Sequence, residues 1–297
     1  MKTELILTKR NIRLFFKDAG MFFTSLITPL ILLVLYATFL SNVYRDSFSA
    51  QVQGFPIDES LINGLVGGQL FSSLLAVSCV TVSFCSNLLM VQDKVTGARR
   101  DLLLTAVKPS CLAVAYYAAT LAVTLIIAFV AMGACMIYLA VTGWYLSFSD
   151  VLLLFLDILL LVMFGTALSS IIHYFLKTQG QMSAVGTIVS SCYGFICGAY
   201  MPISSFSEWL RDLLGFLPGT YGTALLRNHA LSGVFSEMEE VGVPAELITA
   251  IRDSVDCNIY FFDTRVETYA MYGILGGFTA LLFLVFLCIN RFSTRKT

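Results

Sequence analysis

The sequence predicts an all-α polytopic membrane protein. It has six transmembrane helices, an interfacial amphipathic helix before the first and a re-entrant helical hairpin before the last. Three observations carry this reading. Uncharged stretches run over Ala19–Tyr44, Ser60–Gln92, Pro109–Phe148, Thr178–Ser207 and Thr268–Asn290, and a sixth, Val151–Leu176, is interrupted only by Asp157 and His173. A helix needs about 20 apolar residues to cross a bilayer, because lipid offers the backbone no hydrogen-bonding partner. The composition agrees: 58% hydrophobic and 12% charged residues, with a mean hydropathy of +0.83, lie far from the balance of a soluble domain. The third observation is charge placement. With six spans, only Arg45, Arg211, Arg227, Arg252 and Arg265 fall outside, leaving thirteen of the 18 basic residues on one side. That asymmetry places both termini in the cytoplasm of a multi-pass protein, the expected setting being a bacterial plasma membrane.

Each element follows in order along a single transmembrane domain, 1–297. Residues 2–18 form a basic amphipathic helix, with Lys9, Arg13 and Lys17 at i, i+4, i+8 and Leu5, Ile12, Phe15 and Phe16 on the other side. Such a helix lies in the inner interface against anionic lipid, so membrane lipid is an expected partner. The first apolar run is too long for a signal-peptide core, and a cleavable leader is not expected. The first span covers about 21–40 and contains Pro29, and a loop runs from Ser41 to about Leu61. The second span (63–91) leads into a short charged inner segment, 93–109. The third span ends near Val141, with Trp144 and Tyr145 in an outer aromatic belt. The fourth covers 151–175.

The fifth span, 182–200, carries Gly186, Ser190, Gly194 and Gly198 at four-residue spacing. A small-residue stripe admits close approach by another helix, either in a second subunit or in the same one. Ser205–Glu208 has a capping-box pattern that starts a short helix to Phe216, Pro218 stops it, and Tyr221–Leu231 forms another. Both are too short to span, which gives the re-entrant hairpin 203–231. An acidic outer segment, 232–266, contains a helix at Ala245–Asp253, and the last span covers 269–290.

Catalytic chemistry is not visible. There is no glycine-rich phosphate loop ending in Lys-Ser/Thr, no nucleophile elbow and no carboxylate pair suited to magnesium. His173 and His229 fall at opposite faces, so no metal site is expected. The eight cysteines read as small buried thiols rather than as a disulfide framework. Nucleic acid is not an expected partner, and the chain is not expected to be an enzyme. Asp157, a carboxylate inside a span, reads either as a proton relay or substrate contact or, lying about 9 Å (two helical turns) from the outer end, as a group that reaches outer water or pairs with a loop arginine.

Two segments then match a family pattern. Gly198 and Pro202, followed by Trp209-Leu210, Leu217-Pro218, Tyr221 and Arg227, resemble the signature of type-2 ABC exporter permeases. Asp93, Gly97, Leu102–Leu104, Thr105 and Lys108 resemble the coupling region of the same family, with Asp93 standing where Glu is usual and Ala106 where Pro is usual. The resemblance implies an outward-moving exporter subunit that pairs with a second, identical or similar permease. It implies a cytoplasmic ABC ATPase partner that holds the ATP and magnesium, leaving no cofactor on this chain. Asp93, Gly97, Arg99, Arg100, Leu103 and Thr105 would couple to that ATPase, and Gly198, Pro202, Trp209, Pro218, Tyr221 and Arg227 would form an outer gate. The cargo implied is amphiphilic or lipid-like, and the segment 232–266 looks closest to the drug-export branch. An ion-gradient-driven transporter, a membrane enzyme and a sensor subunit remain as alternatives.

Overall fold

A computed structural model describes residues 2–52, 55, 57–105, 107–262 and 264–293. Ala106 and Asp263 lie outside the described residues. Among the described residues the regular structure is helical except for one two-stranded hairpin, β1 (Ile259–Phe261) with β2 (Thr264–Val266), paired antiparallel.

Helix α1 (Lys2–Lys17) packs alongside the helices over 59–95 and 109–142, with Leu7 buried against Leu89 and Leu112 and Phe15 against Val82 and Val123. Asp18 ends it and starts α2 (Ala19–Leu35), its carboxylate accepting from the Met21 amide at 3.1 Å. The expected loop from Ser41 does not form. The chain passes through a π-helical turn, Tyr36–Leu40, and stays helical through α3 (Ser41–Gln51). Tyr44 and Phe48 explain the extension: Tyr36, Tyr44 and Phe48 stack in series at 5.8 and 5.9 Å, and all three are buried. Burying these rings holds a helix that Asn42, Arg45 and Asp46 would not sustain alone.

Helix α4 (Glu59–Val95) is the axis of the fold. Of its most apolar stretch 94% is buried, against 28% for the helix over 19–51 and 17% for the last helix. Helices α6 (Pro109–Thr142) and α7 (Phe148–Phe175) pack along it. Small polar side chains join the three: Ser83 bonds Thr124 and Thr166, and Asn87 donates to Ser169 and Ser170 at 3.1 Å each. At Gly165 of α7 a side chain would sit 3.0 Å from the Cys79 carbonyl and 3.1 Å from Val80 Cα, so backbone meets backbone there.

Helix α8 (Gln179–Ile196) starts on Thr178 and ends sooner than expected, before Gly198. Among the described residues, five helices are long and apolar enough to cross a membrane: 19–51, α4, α6, α7 and α12 (Thr268–Ser293). Helix α8, with 18 residues and Gln179, Gln181 and several serines among them, is not one of them. The capping box at Ser205–Glu208 is absent, because Ser205 closes a 3₁₀ turn, Ile203–Ser205, and α9 (Glu208–Gly215) starts after Ser207 without a side-chain cap. The helix expected over Tyr221–Leu231 is α10 (Pro218–Glu240), 23 residues long and buried along most of its length. Its core neighbours α4, α7 and α12 supply the burial that prolongs it past Leu231. Helix α11 (Ala245–Ser254) follows.

Candidate functional site

Three places carry the candidate residues: an elbow at the α1 end of α4, a groove beside α2, and a polar knot at the other end.

At the elbow, α4 emerges from the bundle and turns at Gly97, whose φ of +86° is a left-handed conformation that glycine adopts without penalty. The Gly97 carbonyl accepts from the Arg100 and Asp101 amides and so starts α5 (Ala98–Leu104), and Pro109 then opens α6. Leu102 and Leu103 dock on a cluster formed by Leu7, Leu89, Met90, Leu112 and Tyr116. Arg100, Asp101, Leu104 and Thr105 face outward, with Leu104 79% exposed, and Arg99 is half-buried. A short helix with one docked and one presented face can receive a push and pass it on.

Asp93 does not join the presented face. It is buried and ion-paired to Arg10 of α1 at 2.8 Å, and it also accepts from the Tyr116 hydroxyl at 2.5 Å. The bond to Asp93 raises the Arg10 pKa above its ordinary value, against the opposing effect of partial burial. The neighbouring Lys94 reaches the other way. Its Nζ donates to the carbonyls of His173, Tyr174 and Leu176 at 2.9, 2.7 and 3.2 Å, satisfying the open C-terminal end of α7. The elbow is therefore tied to α1 on one side and α7 on the other. Sequence reading missed Arg10, which lies off the Lys9–Arg13–Lys17 stripe, and it missed the capping role of Lys94.

The groove, of about 1140 Å³, lies between α2–α3 and α8. Its walls are mostly apolar, but Thr24, Thr28, Ser183, Thr187 and Ser190 place hydroxyls along it, and Met201, Pro202 and Ser205 close its far end. The small-residue stripe does not form one surface. Gly186 has open space where a side chain would be and lines the groove with Ser190. Gly194 is covered by the Tyr200 ring of the same chain, and Gly198 has left the helix with φ +74°.

The polar knot centres on Arg227 of α10, which is fully buried. Its guanidinium donates to Asp256 at 3.0 Å, to the Gly198 carbonyl, and to Ser73 of α4 at 3.4 Å. Asp256 in turn accepts from the Ile203 and Ser204 amides at 2.5 and 2.9 Å, just after Pro202. Gly198, Pro202 and Arg227 thus meet in space, joined to α4. Pro218 opens α10, and Tyr221 donates to the Gly215 carbonyl at 2.6 Å, which sews α9 to α10. Trp209 stands apart on α9, 68% exposed. Nothing in the sequence singled out Asp256 from the other acidic residues of 232–266. Its neighbour Cys257 is buried, which pushes the thiol up to about 12.

Asp157 corrects an expectation. It is buried and meets neither outer water nor an arginine. His229 Nδ1 of α10 lies 2.6 Å from one carboxylate oxygen, and the Tyr272 hydroxyl of α12 donates to the other at 2.5 Å. The periodicity of α7 shows the carboxylate but not which helices face it. His173 sits elsewhere on α7 with Nδ1 against the Ser169 carbonyl, and among the described residues no group of side chains is arranged to hold a metal.

Comparison with known proteins fits this arrangement. A family model described as ABC-2 type transporter matches residues 4–230, from α1 to just past Arg227 in α10 and short of Asp256. No curated protein and no solved structure matches the chain. Members of that family are membrane components of transporters and normally work with an ATPase subunit. The chain belongs to the ABC-2 type transporter family, as a multi-pass permease subunit.

Proposed function

We propose that this permease forms the cargo pathway of an ATP-driven exporter and works as a dimer with an identical or similar subunit. The observation that carries this reading is the continuity of α4. One helix links the presented elbow helix α5 to Ser73 in the Arg227 knot, and so connects a docking face to the far end of the groove. In this reading the α5 end is cytoplasmic, both termini lie there, and α8 completes six spans. A separate ATPase subunit, holding ATP and magnesium, closes against Arg99, Arg100, Leu104 and Thr105. Helices α9 and α10 form the re-entrant outer gate, which the knot holds shut against Ser73 inside α4 and against the end of α8.

The cargo is amphiphilic. An apolar groove lined with hydroxyls and without a charged side chain on its wall suits acyl or aromatic bulk with a hydrogen-bonding end, as in drug-like or lipid-like molecules. The Asp157–His229–Tyr272 cluster is the one feature an ion-gradient-driven transporter would use. It does not line the groove, and so it does not favour that alternative.

The test is reconstitution with the partner ATPase. Reversing Arg99 and Arg100 to Glu leaves the assembly intact and removes cargo-stimulated ATP hydrolysis. Unchanged stimulation in an assembled complex rules the coupling role out.

A further inference from the structure

A second groove, of about 770 Å³, lies on the opposite side of α2 from the cargo groove, walled by α4 and α6. It runs along α2–α3 from Phe22 to Ser41, about 28 Å at the helical rise, close to the thickness of a bilayer's hydrocarbon core. Its lining, including Leu74 and Val130, is almost wholly apolar, and none of the Gly198–Arg227 residues reaches it. Helix α2 therefore stands between two troughs, only one of which leads to the gate.

The mouth of the second groove is marked by charge. Phe16 of α1, expected on the side away from the basic residues, lines it instead: Lys9 and Arg13 precede Phe16 by seven and three residues, so helical geometry puts all three on one side. Lys9, Arg13 and Lys17 are exposed and enter no ion pair among the described residues, whereas Arg10 is engaged by Asp93. Lys17 lines a separate hollow with Arg10 and Asp93, but the exposed Lys9 and Arg13 on the Phe16 side of α1, beside the end of an apolar trough, match a molecule with an anionic head and a long hydrocarbon tail.

We propose that this groove is a binding site for an anionic phospholipid. One acyl chain lies between α2, α4 and α6, and the phosphate sits against Lys9 and Arg13. With the α5 end cytoplasmic, as proposed above, the lipid comes from the inner leaflet. It is a resident molecule rather than cargo, and it braces the poorly buried α2 against the core. The binding itself holds whether or not the chain exports anything, so its test needs no partner ATPase.

The experiment uses the purified full chain, delipidated in detergent, with three probes: phosphatidylglycerol, phosphatidylcholine of the same acyl composition, and glycerol phosphate without a tail. Phosphatidylglycerol raises the melting temperature most and glycerol phosphate leaves it unchanged. Neutralising Lys9 or Arg13 to Gln weakens phosphatidylglycerol binding about fivefold each. Filling the trough with Ala37→Phe and Ala134→Phe removes the phosphatidylglycerol effect. Should those variants fail to fold, photocrosslinking decides on the unmodified chain: phosphatidylglycerol with a photoreactive acyl chain labels the Ile126–Tyr138 part of α6. Equal stabilisation by both phospholipids, or label confined to α8 or α12, overturns the proposal.

Discussion

The ion pairs Arg10–Asp93 and Arg227–Asp256 lie toward opposite ends of the same molecule, and their surroundings differ sharply. The Arg10 side chain is 31% exposed and Asp93 only 7%, whereas Arg227 and Asp256 are 1% and 4% exposed. An exposed pair is worth little, about 0–1 kcal/mol, and salt screens it. A buried pair adds little when intact, yet removing one partner strands a charge and costs about 3–5 kcal/mol. Water reaches Arg10 but not Asp93, so breaking the Arg10 pair costs less than breaking the Arg227 pair, which resists until a larger force acts. That asymmetry suits the function proposed above, in which the permease is driven from one end and gated at the other.

The largest effect expected is at Arg227. Replacement by Met strands Asp256 and lowers stability by about 3–5 kcal/mol, read as a drop in melting temperature in detergent. Adding Asp256→Leu to that variant removes the stranded charge but leaves the Ile203 and Ser204 amides without their acceptor, so it restores only part of the loss. If Arg227→Met alone is neutral, the contrast between the two pairs is lost.

Next come the glycines. Gly165→Val forces a side chain onto the α4 backbone and costs about 1–3 kcal/mol, while Gly186→Val, facing open space, leaves the melting temperature nearly unchanged. The pair of melts shows where close helix packing takes place.

Asp93→Asn keeps an acceptor for the Tyr116 hydroxyl and leaves the half-open Arg10 to water, so it lowers stability by about 1–2 kcal/mol, less than Arg227→Met. Its larger effect appears in reconstituted complexes, where ATP hydrolysis proceeds with weaker response to cargo. A melting loss as large as that of Arg227→Met would show that the Arg10 end is equally locked. The smallest signal is at Cys257. A buried thiol pushed up to about 12 stays protonated at neutral pH and does not react with maleimide in the folded chain. In the Arg227→Met variant it becomes reactive as the knot loosens.

Long apolar runs made most of the helices legible from the chain, because lipid imposes a length and a composition on each span. The elbow was legible too, through Gly97 and the leucines that dock it. Other features were hidden for a specific reason. The length of α10 and the extension through α3 depend on burial against distant helices, which composition understates: His229, Arg227 and Tyr44 look like surface residues until their partners are placed. The stripe on α8 misled in the opposite direction, since regular spacing does not determine whether a partner helix or a ring such as Tyr200 fills the space.

By itself the sequence determined that the chain is a helical membrane protein, where most spans lie, and which turns carry glycine and proline. These are local matters, settled by hydropathy and backbone freedom. The tertiary structure alone decided that Asp93 meets Arg10, that Asp256 meets Arg227, and that Asp157 meets His229 and Tyr272. Each pairing joins residues far apart in the chain, and what a buried charge requires is a partner nearby in space, wherever that partner falls in the sequence.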